Sequence, residues 1–300
     1  MGRGIERDDH GDGGDGGFFA LPTGSASGVV RRYEAHSFSG VPAGYHRGLP
    51  SRALTFRFNL EEPADIISMP DPTQTPGAFF AFVGGLHSGP AMVAHPGRGH
   101  GFGVDASPLA ARQLFGVPAG SLASVVVDLA DLWGSHAAAE LTDRLHAAAN
   151  WPERFGVVDD MLDRVLASRE PARLPAEVVE AWRCIVASRG RRPVEEVAAH
   201  VGWSRRHLAA RFKVEAGLSP KALGRVVRFE HACELLLKPG PTSLAAVAAE
   251  AGYYDQSHLT RDWSELAGCT PTAWMAEELH DPPRLDAEFP FVQDAGRLAG

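Results

Sequence analysis

Cysteine is scarce: Cys184, Cys233 and Cys269 are the three in 300 residues. An odd number without metal-ligand spacing excludes a disulfide framework. The thiols read as small apolar groups in a reducing cytoplasm rather than as a redox switch. Long apolar runs are absent too. With no stretch able to cross a bilayer and no signal peptide, the chain is expected to be cytoplasmic and to have no membrane partner. The short motifs of catalysis are also missing. There is no Gly-x-Ser-x-Gly turn, no phosphate-binding glycine loop closed by lysine and no Gly-x-Gly-x-x-Gly opening a helix. Gly97-Arg98-Gly99-His100-Gly101-Phe102-Gly103 lacks that context and reads as turns. His46, His87, His95 and His100 lie in a β-rich stretch where a sheet could present a metal, but no His-x-His or His-Glu-x-x-His spacing joins them. They read as scattered loop histidines, so no catalytic residue, metal ligand or cofactor is assigned.

Overall basic charge is lacking as well. The net charge of −8 alone argues against a polyanionic partner. Its distribution argues the other way. Arg189 to Arg261 holds 12 Lys and Arg against 7 Asp and Glu, about +5, leaving 17 against 30, about −13, for the rest. A basic block in an acidic chain is the electrostatic footprint of a nucleic-acid site, although a solvated helical surface would account for the charge taken by itself.

The length suggests two domains. Residues 1–21 are a Gly/Asp-rich start expected to be disordered. Residues 22–168 form an N-terminal domain, β first and helical later. From Arg52 the pattern alternates cleanly, with Leu54, Phe56, Phe58 and Leu60 on one face of a half-buried strand. Residues 29–35, 66–69, 78–83, 91–95 and 100–105 are the other strands of a small sheet or barrel. Helices are expected over 109–115, 121–133, 135–150 and 151–168. The Pro-rich run 169–175 is the linker, and 176–280 is a helical C-terminal domain. Residues 281–300 are a tail whose apolar patch, Phe289 to Asp294, is expected to pack back onto a domain. The fold class is therefore α+β: a β-rich N-terminal domain followed by helices, then an all-α C-terminal domain.

Two runs in that C-terminal domain repeat one pattern. In 193–212 a short amphipathic helix is followed by Gly202, Trp203, the cap residue Ser204 and a second helix. In 243–263 the corresponding residues are Gly252, Tyr253 and Asp255. Glycine suits a sharp bend needing positive φ, and Ser204 and Asp255 can accept from the orphan amides of the next helix. Helix, tight turn and helix make a helix-turn-helix, whose second helix can lie in the major groove. Aligning Leu208 with Leu259 pairs Ser204 with Asp255 and Phe212 with Trp263, so the second turn is one residue longer. The leucine and aromatic share the buried face. That leaves Arg205, Arg206, Ala209 and Ala210 outward in the first copy, and Gln256, Ser257, Thr260 and Arg261 outward in the second. Between the copies, Ser219-Pro220 starts a helix and Lys238-Pro239-Gly240-Pro241 stops it. Its roughly 18 residues span about 27 Å. Such a rod can hold two recognition helices about 34 Å apart, in successive major grooves.

The double helix-turn-helix, the linker helix opening at Gly217-Leu218-Ser219-Pro220, and the run from Ala251 to Arg261 closing with Ala267-Gly268-Cys269-Thr270-Pro271 resemble the AraC/XylS family of bacterial transcription regulators. The resemblance implies a sequence-specific DNA-binding regulator. It places Arg206, Ala209 and Ala210 towards bases from the first recognition helix, and Gln256, Ser257, Thr260 and Arg261 from the second. Ala209 and Ala210 depart from longer side chains at those positions. Alanine offers only apolar contact, for instance to a thymine methyl, so the first helix is expected to read less sequence. More loosely, Tyr45 to Ser51, Phe82 to His87 and Leu114 to Gly120 resemble the N-terminal domain paired with such helix-turn-helices in many actinobacterial regulators. This implies a sensing or dimerising role. The implied partners are double-stranded DNA, a small-molecule effector at the N-terminal domain, a second copy of the chain in a homodimer, and RNA polymerase if the protein is an activator. Two other readings of the N-terminal domain stay open: a metal-dependent or other enzyme tethered to DNA, and a protein-interaction module.

Overall fold

The computed structural model describes residues 16–170, 173–238 and 243–279. Most of the Gly/Asp-rich start, Pro171 and Ala172 of the linker, the helix stop at 239–242 and the tail lie outside the described residues.

Strands β1 (Gly16–Ala20), β2 (Val30–Phe38), β3 (Gly44–Gly48), β4 (Leu54–Asn59), β5 (Ala64–Ser68), β6 (Gly77–Phe79), β7 (Ala81–Gly84), β8 (Ala91–His95), β9 (Gly99–Ala106) and β10 (Val126–Asp128) build two antiparallel sheets. One runs β1-β2-β9-β4-β7-β10 and the other β3-β8-β5-β6. In β4 the period-2 pattern holds: Leu54, Phe56 and Phe58 are buried, and Thr55, Arg57 and Asn59 are half-buried. Helices α1 (Ala111–Phe115), α2 (Leu129–Trp133), α3 (Ser135–Ala147) and α4 (Trp151–Ala167) follow. Their aromatics cover the buried face. Phe56 meets Phe115 at 5.4 Å and Trp133 at 5.8 Å, and Phe102 meets Phe155 edge-on at 5.9 Å. Such pairs contribute about 0.5–1.5 kcal/mol beyond the area they bury. A smaller core of Ile66, Met69, Phe82, Ala91 and Val126 joins residues of the two sheets.

The N-terminal domain departs from the sequence expectation at several points. Gly16–Ala20, inside the start expected to be disordered, pairs with β2. The run 78–83, read as one strand, breaks at Phe80: β6 pairs with β5 in the small sheet, and β7 with β4 in the large one. One apolar run thus serves two sheets, and hydrophobicity alone does not mark the break. Residues 121–133, read as helix, form β10 and then α2. Gln74 brackets this edge strand: its Nε2 donates to Val126 O at 2.5 Å and its Oε1 accepts from Val126 N at 3.0 Å. Strand β3 carried no sequence signal, because exposed Tyr45 and His46 sit between two glycines.

The C-terminal part is α5 (Ala176–Ala187), α6 (Val194–His200), α7 (Arg205–Ala216), α8 (Pro220–Leu237), α9 (Leu244–Ala251), α10 (Gln256–Ala267) and α11 (Pro271–Leu279). Helix α8 has 18 residues and starts where expected, with Ser219 Oγ accepting from Ala222 N at 3.2 Å ahead of Pro220. Helices α5, α7, α9 and α10 all pack on it. Among the described residues no helix is long and apolar enough to cross a membrane.

Candidate nucleic-acid interface

Both recognition helices grow from the same local chemistry. In the first unit Trp203 N donates to Ala198 O at 3.0 Å, and Gly202 turns the chain at φ +72°. In the second, Tyr253 N donates to Ala248 O at 2.8 Å, and Gly252 has φ +86°. Side-chain-bearing residues rarely adopt that conformation. After the aromatic the copies fall out of step by one residue. The additional residue is Tyr254, which is 92% exposed. Ser204 Oγ then accepts from His207 N at 3.2 Å, and Asp255 Oδ1 from His258 N at 2.7 Å. Each cap contributes about 1 kcal/mol to its helix. The capped histidines also brace the turns: His207 lies edge-on to Trp203 at 4.4 Å, and His258 to Tyr253 at 5.2 Å.

Burial fixes how the helices face. Leu208, Phe212, Leu259 and Trp263 are all 0% exposed. Phe212 stacks on Trp182, while Trp263 sits against Phe229 at 4.8 Å and Trp274 at 5.3 Å. Arg225 of α8 ties α10 down through Asp262 at 2.6 Å and through Glu265.

The opposite faces carry the sequence-predicted residues. On α7, Arg205, Arg206 and Ala210 are exposed and Ala209 half-buried; on α10, Gln256, Ser257 and Arg261 are exposed and Thr260 half-buried. The four α10 residues line one shallow groove with Ser264 and Glu265. Arg205 is held by Glu195 of α6, an exposed pair of the kind that contributes about 0–1 kcal/mol. Among the described residues, Arg206 and Arg261 have no ion-pair partner. Tyr254, beside the cap of α10, is the exposed aromatic that sequence reasoning passed over. The one-residue offset between the copies was the signal that could have found it.

Among the described residues, the β-domain histidines do not bring three ligand atoms together. His87 Nδ1 lies 2.5 Å from Gly89 O, His100 packs on Trp151 at 4.7 Å, and the His46 and His95 rings are 6.5 Å apart.

The N-terminal domain meets the first recognition helix at its other end. Arg112 of α1 donates through Nε and Nη2 to Glu215 at 2.8 and 3.0 Å, and Glu215 is 4% exposed. A short 3-10 helix, Ala119–Leu122, packs on α7 as well. There Gly120 comes so close that a Cβ would lie 2.7 Å from Val214 O and 2.8 Å from Lys213 O. Further along the junction Arg52 N donates to Glu230 Oε1 at 2.9 Å, and Arg47 pairs with Glu277 at 2.6 Å. The junction lies at the last turn of α7, where Glu215 and Ala216 are buried, and leaves Arg205, Arg206 and Ala210 exposed.

A helix-turn-helix domain family model matches residues 197–277, from α6 into α11. A search of curated proteins finds no match. Among solved structures, ToxT from Vibrio cholerae, at 1.65 Å, aligns over 81% of this chain and 97% of its own, with 12% identity and a TM-score of 0.50. A substituted apo ToxT from Vibrio cholerae aligns over 82% and 97%, with 9% identity and a TM-score of 0.50. At these identities the likeness is one of fold: a β-rich part and a helical part in one chain. The AraC-like transcriptional activator CuxR aligns over 66% and 80%, with 15% identity and a TM-score of 0.26, too low to bear on the fold.

Proposed function

We infer that the chain, whose C-terminal domain is a double helix-turn-helix of the AraC type, is a transcription regulator that binds specific sequences in double-stranded DNA. The observation that carries this is the repeat: two recognition helices, each with a side-chain cap, a positive-φ glycine, a buried leucine–aromatic pair and arginine on its outward face. Both are braced on the 18-residue α8.

In this reading α7 and α10 enter successive major grooves, because α8 is about 27 Å long. Arg206 donates to guanine edges or phosphate, and Ala209 and Ala210 touch thymine methyls. Gln256 pairs with adenine edges, Arg261 with guanine, and Ser257 and Thr260 add short polar contacts. Arg205 exchanges Glu195 for phosphate, and Tyr254 flanks the backbone. The protein works in the cytoplasm, and with RNA polymerase where it activates. The N-terminal domain is the modulator rather than a catalyst. A small effector, or a second copy of the chain, acts on the segment from Pro108 to Leu122. The last turn of α7 feels that change through Arg112–Glu215 and Gly120.

The test is a salt titration of binding to fragments flanking the protein's own gene, set against random DNA. Preference for the flanking fragments, with affinity falling steeply as salt rises, supports the reading. Equal affinity for both at every salt, across a screen of effectors, would sink it.

A further inference from the structure

We propose that Glu180, Cys184 and His200 form a divalent-metal site, suited to Zn²⁺, that fastens α5 to α6. Glu180 and Cys184 are four apart on α5 and share one face, and His200 is the last residue of α6. Their ligand atoms all lie within 4.8 Å of one another, the one such mixed group among the described residues. His200 Nε2 is 3.0 Å from Glu180 Oε1, and Cys184 Sγ is 3.5 Å from the same oxygen. Tetrahedral zinc, with bonds of about 2.0–2.3 Å, sets its ligand atoms about 3.3–3.6 Å apart. The two distances to the shared Glu180 oxygen are within a few tenths of an ångström of that spacing, and Cys184 Sγ and His200 Nε2 lie within 4.8 Å of each other.

The donor chemistry selects the ion. A thiolate and an imidazole favour zinc over magnesium or calcium, which prefer all-oxygen shells. Three protein ligands leave a fourth position for water or an external ligand. Glu180 and Cys184 are half-buried and His200 is exposed, so an ion can reach them. Arg192 Nη1 lies 3.5 Å from Cys184 Sγ and offsets only part of the rise that burial and Glu180 impose on the thiol, while Arg183 holds Glu180 Oε2 at 3.1 Å, leaving Oε1 towards the other two donors. On binding, the Cys184 thiol proton passes to solvent, and neutral imidazole and carboxylate complete the set. His200 immediately precedes Val201 and Gly202, so an ion here anchors the segment that enters the first turn. The site stands or falls independently of the DNA reading.

The experiment uses the full chain, reduced and metal-free, titrated with Co²⁺. One equivalent should bind with a thiolate-to-cobalt charge-transfer band and tetrahedral d–d bands, both bleached by Zn²⁺. Cys184→Ser should abolish the charge-transfer band, Cys269→Ser should keep it, and His200→Gln should weaken binding by about tenfold or more. Zn²⁺ should raise the Tm of the wild type but not of His200→Gln. Absence of the band in the wild type, or its survival in Cys184→Ser, overturns the proposal. Should Cys184→Ser fail to fold, the Glu180→Gln, His200→Gln double variant decides: unchanged cobalt affinity and spectrum overturn the site, and loss of both upholds it.

Discussion

Arg261 and Gln256 stand exposed on the outward side of α10, and the guanidinium of Arg261 has no ion-pair partner among the described residues. A bidentate contact from such a side chain discriminates a base by about 1–3 kcal/mol. Arg261→Ala and Gln256→Ala should therefore each weaken binding to the preferred fragment by about that much, and weaken random DNA less. Competition binding on the two DNAs checks this, and an equal loss on both would move the residues from bases to phosphates. Histidines of the β domain contribute to acid stability, since His46, His87 and His95 are lowered by burial in the same sense as His36. His36 in β2 is pushed down to about 3, first by burial and then by the charges of Arg57, His46 and His100. An unfolded chain gives histidine about 6.5. Because the folded value is the lower one, the neutral ring contributes its full stabilisation above about 6.5, and this is lost as pH falls from there towards 3. The Tm of the wild type should decline through that window, and His36→Asn should make the decline shallower, leaving the share of His46, His87 and His95. A wild-type-to-variant difference that stays constant across pH would refute the assignment.

Among the elements, the two turn glycines make a graded pair. Both have positive φ, yet a Cβ on Gly202 would meet nothing within 4 Å, while one on Gly252 would lie 2.8 Å from Arg191 Cγ. Arg191 cannot yield without cost, because its Nη2 donates to Glu250 O at 2.8 Å. Gly202→Ala should cost the left-handed strain alone, about 1–2 kcal/mol. Gly252→Ala should cost more, and Gly252→Val most. Urea unfolding measures all three, and equal costs would mean that Arg191 moves freely. These turns were legible in the sequence because glycine, aromatic and cap are consecutive residues acting locally. Helices α3 to α10 were legible for the same reason, with caps at Ser204, Ser219 and Asp255 marking several starts. Strands failed where meaning depends on a distant partner. Nothing local tells Phe80 that its neighbours belong to two sheets, or tells Val126 that β7 offers an open edge.

For the molecule as a whole, the Pro-rich run 169–175 reads as a linker, but the contact between the parts on either side of it was invisible. Arg112 and Glu215 are 103 positions apart, and each reads alone as a surface charge on a helix. The same holds for Cys184 and His200, whose meeting depends on how α5 packs against α6. The outward residues of α7 and α10 were legible because burial of Leu208 and Leu259 fixes helix facing within the element. The junction gives the last test. Glu215 is buried while Arg112 is about one-third exposed. Removing one partner of a fully buried pair costs about 3–5 kcal/mol, and water on the arginine side reduces this to about 1–3 kcal/mol. Arg112→Ala leaves the Glu215 carboxylate unpaired on the last turn of α7, and Gly120→Ala pushes a methyl against the backbone oxygens of Lys213 and Val214. Both should lower the Tm and shift DNA affinity in the same direction. Because both act on one contact, their combined effect should fall short of the sum of the single effects. Strictly additive losses of stability, with DNA affinity unchanged in every variant, would make the junction passive scaffolding. A shared, non-additive shift in DNA affinity would make it the route by which the N-terminal domain is felt at the first recognition helix.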